Sequence, residues 1–556
     1  MKKTLSLLLA ALMLVPLLAG CGSGGDVQGN VQGNVDNNDQ GDVQGNVPGG
    51  DSGKIIVIGG QSDLVTLDPG NMYEPYANMI SYAAYDMLYR VKSGTMGTPE
   101  PSVATEYTVD DTGTVYTFKL RDDVVFASGN KLTAKDVAWS INRVLDMKES
   151  NAYSNVKNVA KVEAPDDTTV VFTLAEPDAS FLVKLTSNAY CILDSELVKE
   201  HGGSDTGGDT AKAWLDTTSA GSGPYIIESW TPKEQLVLKK NPQYWGESKN
   251  IDTIIFREMT SVDAQITALK SGEVDIILGL NSETAKQLKD VEGVTVTAGT
   301  TALITFLVMS RDAALSPEMS NPKVQEAVRY ALDYQGYLDM GGEGCTVPLN
   351  FVQQGFSGGL TRDLSTEGQD IEKAKALMTE AGYADGFEIT LTCANNNSEG
   401  LEWTTIAQKV KQDLAAINIT VNIETLEATL VYEKMRDAAM PFYVMFWSPD
   451  YYDINNQTAA FLPGTGDDGT AYGNRTKWER TADNENLWTL ADKIRVETDE
   501  AERAKASEEL QRAYAKDNPL AFLLQHPKTF AYSASTLAGV TYNDLCKIEL
   551  TELVAK

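Results

Sequence analysis

Two carboxylates and several aromatic rings lie close together near the carboxyl end of the chain. Asp450 and Asp453 flank a pair of tyrosines, and Trp447 precedes Asp450 by three residues. A carboxylate beside aromatic rings, partly shielded from water, attracts an ammonium group far more strongly than a carboxylate in bulk solvent. The segment could therefore bind a cationic group. The ordinary alternative is a strand end at which Asp450 is solvated and Asp453 forms a turn.

The same two acids could also serve as the paired carboxylates of an envelope hydrolase. Their spacing of three residues after a strand does not force both side chains towards one bond. We therefore expect a binding protein that makes and breaks no bond and uses no cofactor.

The element that must position these residues is the apolar and aromatic run Phe442–Trp447. At this length an unbroken apolar run predicts a buried strand. Pro449 ends the strand, because proline has no N–H for the ladder and restrains the residue before it. Asp450 is thus predicted to lie at the mouth of a buried strand.

Length and composition narrow the function. A chain of 556 residues is too long for one core and predicts two or three domains. Its formal net charge of −32 disfavours nucleic acid as a partner, because phosphate binding needs clustered Lys and Arg. Histidine occurs only at His201 and His526, with no cysteine or acid at metal-ligand spacing. A metal site or a His-based catalytic triad is therefore not expected.

The first residues have the layout of a secretory signal. Lys2 and Lys3 precede an apolar run at 5–18, and small residues stand before Cys21. This layout resembles the bacterial lipoprotein signal at 1–20, in which the cysteine is acylated and becomes the new amino terminus. Residues 21–53 consist mainly of Gly, Asn, Gln, Asp and Val. That composition predicts a flexible tether with a reach of roughly 30 Å between the lipid on Cys21 and the folded body.

The remaining chain alternates strand and helix signals. Thr133 and Asp136 form a capping-box pattern before one helix, Asn321 followed by Pro322 predicts the start of another, and a further helix is predicted at 80–88. Repeated alternation of this kind predicts α/β lobes in which mixed sheets are flanked by helices.

Several segments of this body, taken together, are typical of one protein family. The segments are Thr117-Phe118-Lys119-Leu120-Arg121, Phe126 to Gly129, Leu132-Thr133-Ala134-Lys135-Asp136-Val137 with Ser140 and Arg143, Gly221-Ser222-Gly223-Pro224-Tyr225, Asn241-Pro242 with Tyr244-Trp245, Ser271-Gly272-Glu273-Val274-Asp275, 324–333, and Ala381-Gly382-Tyr383 with Gly386-Phe387. They resemble the large periplasmic-type solute-binding proteins, and more narrowly the oligopeptide and dipeptide family of ABC importers, extracellular solute-binding protein family 5.

The resemblance implies a fold and a division of the chain. The expected fold is α/β and periplasmic-binding-protein-like: two mixed-sheet lobes joined by a hinge, with an extra subdomain in the N-terminal lobe, as in the large type II, cluster C binding proteins. Lobe I would comprise residues 54–88, 218–299 and 521–556, the extra subdomain 89–217, and lobe II 300–520.

The resemblance also implies a ligand site. In the oligopeptide-binding relatives a Trp-x-x-Asp segment of the second lobe lies in the closed cleft, and its acid binds the α-ammonium of the ligand. Here that segment is Trp447-Ser448-Pro449-Asp450. Backbone groups near Phe446 and Ser448 would pair with a peptide as an added strand. The candidate ligand-binding residues are Asp450, Trp447, Ser448, Phe446, Tyr451, Tyr153 and Tyr73.

The two most remote candidates come from lobe I. Tyr153 resembles the tyrosine that relatives present to the ligand from the subdomain, although it could equally be a packed side chain. Tyr73 follows Leu67-Asp68-Pro69, where some relatives contact ligand.

The sequence does not show which residues would bind the opposite end of the ligand. Well-studied oligopeptide binders place basic residues on the strand that leads to this tryptophan, whereas Tyr443, Val444 and Met445 occupy it here. Binding of a free ligand carboxylate is thus unexplained. A nickel complex, an opine or an oligosaccharide is an alternative cargo for the same fold, and a sensor or envelope chaperone an alternative role.

The predicted function is a lipid-anchored receptor on the outer face of the cytoplasmic membrane. It would act as a monomer, close its lobes over a short peptide or another small solute, and deliver it to the transmembrane subunits of an ABC permease. Closure would be a hinge motion driven by contacts made only in the closed state. Export permits disulfides. Cys191, Cys345, Cys393 and Cys546 allow three pairings, and free thiols are the alternative.

Overall fold

The structure, a computed structural model, describes residues 53–62, 64–72, 75–93, 95, 97–148, 152–247, 249–463, 471–542 and 548–556. The strands are β1 (Ile55–Gly60), β2 (Tyr89–Val91), β3 (Pro99–Pro101), β4 (Ala104–Val109), β5 (Val115–Leu120), β6 (Val159–Asp166), β7 (Thr169–Leu174), β8 (Tyr225–Thr231), β9 (Gln235–Lys240), β10 (Thr253–Glu258), β11 (Ile276–Ile277), β12 (Val294–Met309), β13 (Phe387–Ala394), β14 (Asn397–Ser398), β15 (Leu401–Glu402), β16 (Ile419–Leu426), β17 (Phe442–Trp447), β18 (Leu520–Ser533), β19 (Leu537–Gly539) and β20 (Val554–Ala555).

The helices alternate with these strands over most of the chain. They are α1 (Pro75–Ala84), α2 (Ala134–Asp146), α3 (Tyr153–Val156), α4 (Phe181–Lys184), α5 (Ser195–Glu200), α6 (Lys212–Leu215), α7 (Val262–Ser271), α8 (Ser282–Lys286), α9 (Pro322–Ala331), α10 (Tyr334–Gly341), α11 (Leu364–Glu367), α12 (Ile371–Glu380), α13 (Trp403–Leu414), α14 (Ala428–Arg436), α15 (Ile454–Phe461), α16 (Tyr472–Arg475), α17 (Asn486–Val496) and α18 (Glu500–Tyr514). Short 3-10 turns lie at Asn188–Tyr190, Ala415–Ile417 and Leu550–Glu552.

The strands of both lobes meet in one hydrogen-bonded sheet. Within the described residues ten strands pair in the order β16-β13-β17-β12-β18-β11-β1-β10-β9-β8. The long strands β12 and β18 pair antiparallel, with a break in register between Thr300 and Ile304. On one side of this break β12 pairs with β17, and on the other side β18 pairs with β11. The hinge of the two-lobe fold is therefore a continuous pair of strands with a local irregularity.

Separate apolar cores lie on either side of this hinge and in the subdomain. One core contains Phe306 and Trp403, a second contains Ile58 and Leu238, and a third is built around Phe172 under a four-stranded antiparallel sheet, β4-β5-β7-β6. This arrangement confirms the predicted α/β, two-lobed fold with mixed sheets. The residue limits assigned above to each lobe and to the subdomain remain a prediction.

Local sequence signals account for several helix ends. The carboxylate of Asp136 accepts hydrogen bonds from the backbone N–H of Thr133 at 2.9 Å and from its hydroxyl at 2.8 Å, which closes the start of α2. The Asn321 side chain accepts from the backbone N–H of Lys323 at the start of α9. Gly272, with φ of 76°, ends α7 in the left-handed conformation that glycine adopts most easily.

The helix predicted at 80–88 is wrong in its limits. The structure places α1 at Pro75–Ala84, and the chain then turns into β2. Helix α1 ends because the Ala84 carbonyl accepts a hydrogen bond from the backbone N–H of Gly223, at 3.2 Å, instead of from the next helical turn. A partner 139 residues away in sequence cannot be read from local periodicity.

The segments Gly221 to Tyr225 and Tyr244-Trp245 converge on one buried acid, Asp86, from a distant part of the chain. Asp86 accepts hydrogen bonds from the hydroxyl of Ser222 and from the Trp245 indole N–H, both at 2.8 Å. Burial raises the pKa of Asp86 despite these two donors. These motifs therefore hold lobe I together around Asp86.

Glycine is required at position 221 by close approach. A Cβ atom there would lie 2.1 Å from the Ala84 carbonyl oxygen, whereas at Gly539 it would meet nothing within 4 Å. We expect Gly221→Ala to lower the free energy of unfolding by about 1–3 kcal/mol, because backbone atoms must move apart. Thermal unfolding of this variant beside Gly539→Ala measures the difference. Equal midpoints for the two variants would contradict the close-packing explanation.

A buried ion-pair network joins the N-terminal segment of lobe I to the subdomain. Arg143 of α2 donates to both carboxylate oxygens of Asp68 at 2.8 Å and to Asp209 at 2.7 and 2.9 Å, and the side chains of Arg143 and Asp68 are fully buried. Burial opposes ionisation of Asp209, yet the hydrogen bonds and charge of Arg143 hold its pKa below the usual range. The Leu67-Asp68-Pro69 motif thus serves to anchor α2.

Candidate functional site

A cleft with a volume of about 440 Å³ lies between the two lobes. In lobe I, β1 runs parallel to β10 and β11, and in lobe II, β13 runs parallel to β16 and β17. The carboxyl ends of these strands supply much of the lining. The lining residues at these ends are Gly60, Gln61, Ser62, Glu258, Thr260, Leu278, Gly279, Asn395, Asn396, Asn397, Ser398, Glu427, Phe446 and Ser448. Open α/β sheets bind their ligands at such ends.

Direct contacts connect the lobes at the edge of this cleft. The Asn397 side-chain amide donates to the Gln61 side-chain oxygen at 3.3 Å, and the Asn281 amide donates to the Gly400 carbonyl at 3.2 Å. Both bonds run from one lobe to the other. The lobes therefore touch while the cleft between them stays open to a ligand of moderate size.

The predicted strand Phe442–Trp447 is confirmed, and its alternation separates the candidate residues. Phe446 and Ser448 line the cleft. Trp447 lies on the opposite face, as successive strand residues do, and its ring makes an edge contact with Phe461 at a centroid distance of 5.2 Å. Among the described residues that line the cleft volume, Trp447 is absent. A packing role explains its position in this structure.

Asp450 lies two residues beyond Ser448, against the subdomain. Asp450 is half-buried, and it is not among the described residues that line the cleft volume. Burial raises the pKa of Asp450 to about 6, and hydrogen bonds with the side chains of Asn456 and Asn155 oppose that rise. Its backbone N–H donates to the Asn456 side-chain oxygen at 2.9 Å. Both side-chain partners are neutral, so no cation is among the groups that act on the pKa of Asp450.

Tyr451 forms part of a contact between lobe II and the subdomain. The tyrosine is 3% exposed, and the Lys184 ammonium lies 5.3 Å from its ring centroid. Lys184 is itself paired with Asp178 at 2.5 Å. Beside this pair, the Asn455 amide donates to the Ser180 hydroxyl at 3.2 Å. Tyr451 is therefore an element of the lobe contact, with its face already covered by a cation.

The two lobe I candidates have different outcomes. Tyr153 begins α3 and packs, half-buried, against the core of the subdomain. Its neighbour Asn155, in the same helical turn, reaches Asp450. Tyr73 lies outside the described residues, so its role stays a prediction.

Asp453 does not share a site with Asp450. Its carboxylate accepts two hydrogen bonds from the Arg503 guanidinium, at 2.6 and 2.8 Å, and caps α15 by accepting from the backbone N–H of Asn455 at 2.9 Å. A carboxylate committed to an ion pair and a helix start is not available as a general acid or base beside Asp450.

A family profile matches most of the described chain. Residues 98–469 match the profile described as bacterial extracellular solute-binding proteins, family 5 middle. The chain belongs to this family. Family 5 proteins are extracellular receptors that bind solutes for ABC importers, which agrees with a cleft between two lobes and with the resemblance found in the sequence.

Several relatives match this family 5 protein over most of its length. The probable D,D-dipeptide-binding periplasmic protein DdpA of Escherichia coli K12 is 26% identical over 88% of this chain and 92% of its own. A dipeptide-binding protein from Pseudoalteromonas sp. SM9913, solved with Met-Leu, has a TM-score of 0.78 at 20% identity and covers 90% of this chain and 100% of its own. The binding protein MoaA of A. tumefaciens R10, solved with mannopinic acid, has a TM-score of 0.77 at 20% identity, covering 91% and 100%. At such identities the structures show the fold alone.

Sequence reasoning missed several cleft residues of this family 5 protein. The polar run Asn395 to Ser398 directly follows β13 and lines the cleft. Polar residues after a buried strand are a signal that could have been used, because strand ends form ligand sites in α/β folds. Asn155 and Lys528 carry no local signal, since they reach the site from distant elements.

The charges around the cleft favour a cation or a zwitterion. The charged residues that line it are the five glutamates Glu234, Glu258, Glu399, Glu402 and Glu427 and the three bases Lys233, Arg257 and Lys528. Burial raises the pKa of Glu402. A purely anionic solute would meet an excess of carboxylates in this cleft.

Histidine contributes no metal centre that the structure describes. His201 stacks on Trp214 with ring centroids 4.1 Å apart, and His526 is buried, with burial lowering its pKa to about 4. Over the described ranges, no group of three or more His, Cys, Asp or Glu side chains is placed to hold a metal ion. In that part of the chain there is also no helix with the length and apolar character to cross a membrane.

Three of the cysteines are free thiols. Cys191 and Cys393 are buried and Cys345 is half-buried, and burial raises the pKa of Cys345 to about 12. None of these three is joined to another by a disulfide. Cys546 lies outside the described residues, as does Cys21, so lipidation stays a prediction.

Proposed function

We propose that this family 5 protein is a lipid-anchored receptor that captures short peptides in the interlobe cleft and delivers them to an ABC permease. The observation that carries the proposal is Asp450, a half-buried carboxylate that is held by two neutral amides and has a raised pKa. Such a group gains strongly from a ligand ammonium, because a buried charge without a counterion is unfavourable. Free peptides carry that ammonium at their amino end.

Capture would use both parts of the site. The ligand ammonium would replace the amides of Asn155 and Asn456 at the Asp450 carboxylate. The peptide would then extend along the exposed end of β17, where Phe446 and Ser448 line the cleft. Main-chain hydrogen bonds to an added strand bind peptides with little dependence on side chains.

Closure of the lobes would hold the bound ligand in place. Ser448 and Asp450 follow the lobe II strand β17, whereas Asn155 belongs to the subdomain, so a ligand at Asp450 would touch both sides. Bending at the break between Thr300 and Ile304 in β12 would move one lobe against the other. Docking on the permease would reverse the movement, and the lipid on Cys21 would keep the receptor at the membrane surface.

Native mass spectrometry of the full chain, purified without refolding, tests the proposal. We expect a mixture of short peptides to be released on dissociation, and to be displaced by added free peptides but not by the same peptides acetylated at the amino end. Release of one non-peptide solute, such as an opine, a nickel complex or an oligosaccharide, would contradict the peptide assignment while leaving the family unchanged. Turnover of a bound peptide or glycan would favour a hydrolase.

The raised pKa of Asp450 predicts a pH-dependent affinity. The ammonium binds the ionised carboxylate, and protons compete for it below a pKa of about 6. We expect the affinity for a free peptide to change little between pH 7 and 6.5 and to fall towards about tenfold per pH unit below pH 6. The peptide ammonium stays charged throughout this range. Isothermal titration calorimetry from pH 7 to 5 measures the slope.

The control for this pH profile is Asp450→Asn, which should bind weakly with no change below pH 6. A flat profile in the unaltered protein would show that Asp450 does not hold the ligand ammonium.

A further inference from the structure

The extra subdomain touches lobe II through residues 176–184, which we call the clasp segment. It follows β7 and includes α4. The backbone N–H of Ala179 donates to the Arg495 carbonyl of α17 at 2.8 Å. In return the Arg495 guanidinium donates to the Pro177 carbonyl at 3.0 Å and pairs with the Glu176 carboxylate at 2.9 Å. The subdomain and lobe II therefore exchange hydrogen bonds in both directions.

A buried polar layer lies behind these outer bonds. The Asn455 amide of lobe II donates to the Ser180 hydroxyl at 3.2 Å, and the two residues are 8% and 0% exposed. The buried pair of Lys184 with Asp178 lies against the ring of Tyr451. Separation of the two surfaces would break the bond between Asn455 and Ser180 and the contact between Lys184 and Tyr451, and buried polar groups are costly to leave without partners.

The clasp segment is attached to lobe I on its other side. Soon after it in the chain, the Asn188 amide donates to the Met72 carbonyl at 3.1 Å, and the backbone N–H of Ile192 donates to the Asp86 carbonyl at 3.0 Å. The buried ion-pair network of α2 is a second attachment. Parts joined by several buried bonds move as one body. Bending at the hinge would therefore draw the clasp segment away from lobe II.

These contacts are separate from the ligand cleft. Among the described residues that line the cleft volume, neither the clasp segment nor Asn455 or Arg495 is present. The bonds join protein groups to one another, so they need no solute. Interactions that exist in only one of two conformations favour that conformation.

We propose that the extra subdomain is a clasp that favours the closed arrangement of the lobes, with Arg495 as a positioning residue. The apparent affinity for a solute rises with the fraction of the receptor that is already in the binding conformation. The clasp therefore slows the release of whatever solute the cleft holds, although it touches none. This inference goes beyond the proposed function, because it does not depend on the cargo being a peptide.

Hydrogen–deuterium exchange of the full chain, dialysed free of solute, tests the clasp. Arg495→Glu places a carboxylate against Glu176 but keeps the Arg495 carbonyl, so exchange at Ala179 reports opening. We expect this exchange to become about 3- to 10-fold faster. Small-angle X-ray scattering should show an expanded molecule, and Glu176→Arg in the same chain should restore both values.

Arg480→Glu is the matched control. Arg480 pairs with Glu485 inside lobe II, and the two side chains are 40% and 50% exposed, so the substitution changes the charge equally without touching the subdomain. We expect this variant to keep the exchange rate at Ala179 and the dimensions of the unaltered protein.

Each result decides the role of the clasp. Rapid exchange at Ala179 in the unaltered protein, or the same rate in Arg495→Glu, overturns the proposal. Faster exchange without expansion shows local fraying and overturns it as well, as does a double variant that stays open. A synthetic pool of free di- to tetrapeptides, offered to the same samples, should leave Arg495→Glu faster than the unaltered protein. Retention of no peptide by either overturns the peptide function alone, because exchange and scattering decide the clasp without a solute.

Discussion

Exchanging Asp450 for asparagine should weaken peptide binding by about 100-fold and at the same time stabilise the unliganded protein. The first effect follows from removal of a buried partner of the ligand ammonium, an interaction of about 3 kcal/mol. The second follows from the pKa of Asp450, which burial raises to about 6 from 3.8. A carboxylate that prefers to be protonated in the folded state destabilises that state when it is ionised.

The sign of the stability effect depends on pH in a defined way. Above pH 6 the folded protein carries an ionised, buried Asp450 at a cost of about 2–3 kcal/mol, and asparagine removes that cost. As the pH falls through 6 the folded protein takes up a proton and the cost declines. Near pH 4 it is almost gone, because the unfolded chain then also becomes protonated.

Calorimetric binding and thermal unfolding of the same samples measure both effects. The matched control is Asp437→Asn at the exposed end of α14, which should change neither. An Asp450→Asn protein that binds peptides normally would remove Asp450 from the site. An Asp450→Asn protein that loses binding and also unfolds at a lower temperature at pH 7 would show that the carboxylate stabilises the fold. That result would contradict the expected gain in stability.

Exchanging Arg143 for methionine should lower the free energy of unfolding by about 3–5 kcal/mol. The substitution leaves the carboxylates of Asp68 and Asp209 buried without their shared counterion, and uncompensated buried charge is among the most destabilising changes known. Both acids are nearly inaccessible to water in the structure. The contact between the subdomain and lobe I should lose most of this stability, because Arg143 joins the two.

A second ion pair on the same helix provides the control. Lys135 pairs with Asp167 at 2.8 Å, with both side chains about two-thirds exposed, at 70% and 66%. Lys135→Met should therefore cost about 0–1 kcal/mol. Urea unfolding followed by tryptophan fluorescence compares the variants. Similar losses for both would indicate that burial adds nothing to the Arg143 network.

Local pattern was sufficient for the elements and for the family. The run Phe442–Trp447 has the length and composition of a buried strand, and the structure forms it. The cap at Asn321 and the left-handed glycine at 272 act over one or two turns, so their residues are adjacent in sequence and visible in it. The sequence motifs allowed the two-lobed fold to be predicted. Several of them make structural contacts within lobe I, as those around Asp86 do.

The composition of the site depended on contacts that no local pattern records. The Asp450 carboxyl meets Asn155 across almost 300 residues of chain, and Lys528 reaches the cleft only because β18 returns to the centre of the sheet. Trp447 is a different case. Strand alternation puts it opposite Phe446 and away from the cleft, so its position could have been predicted from the same run that placed the strand.

The order in which the central strands are made has a consequence for biosynthesis. Strand β18 lies between β12 and β11 and joins the two lobes, yet it is formed by Leu520–Ser533 in a chain of 556 residues. The ribosome therefore completes almost the whole polypeptide before the middle of the sheet can close. Pairings over such sequence distances form slowly. The pairing that joins the two lobes therefore forms only after the strands on both sides of it have been synthesised.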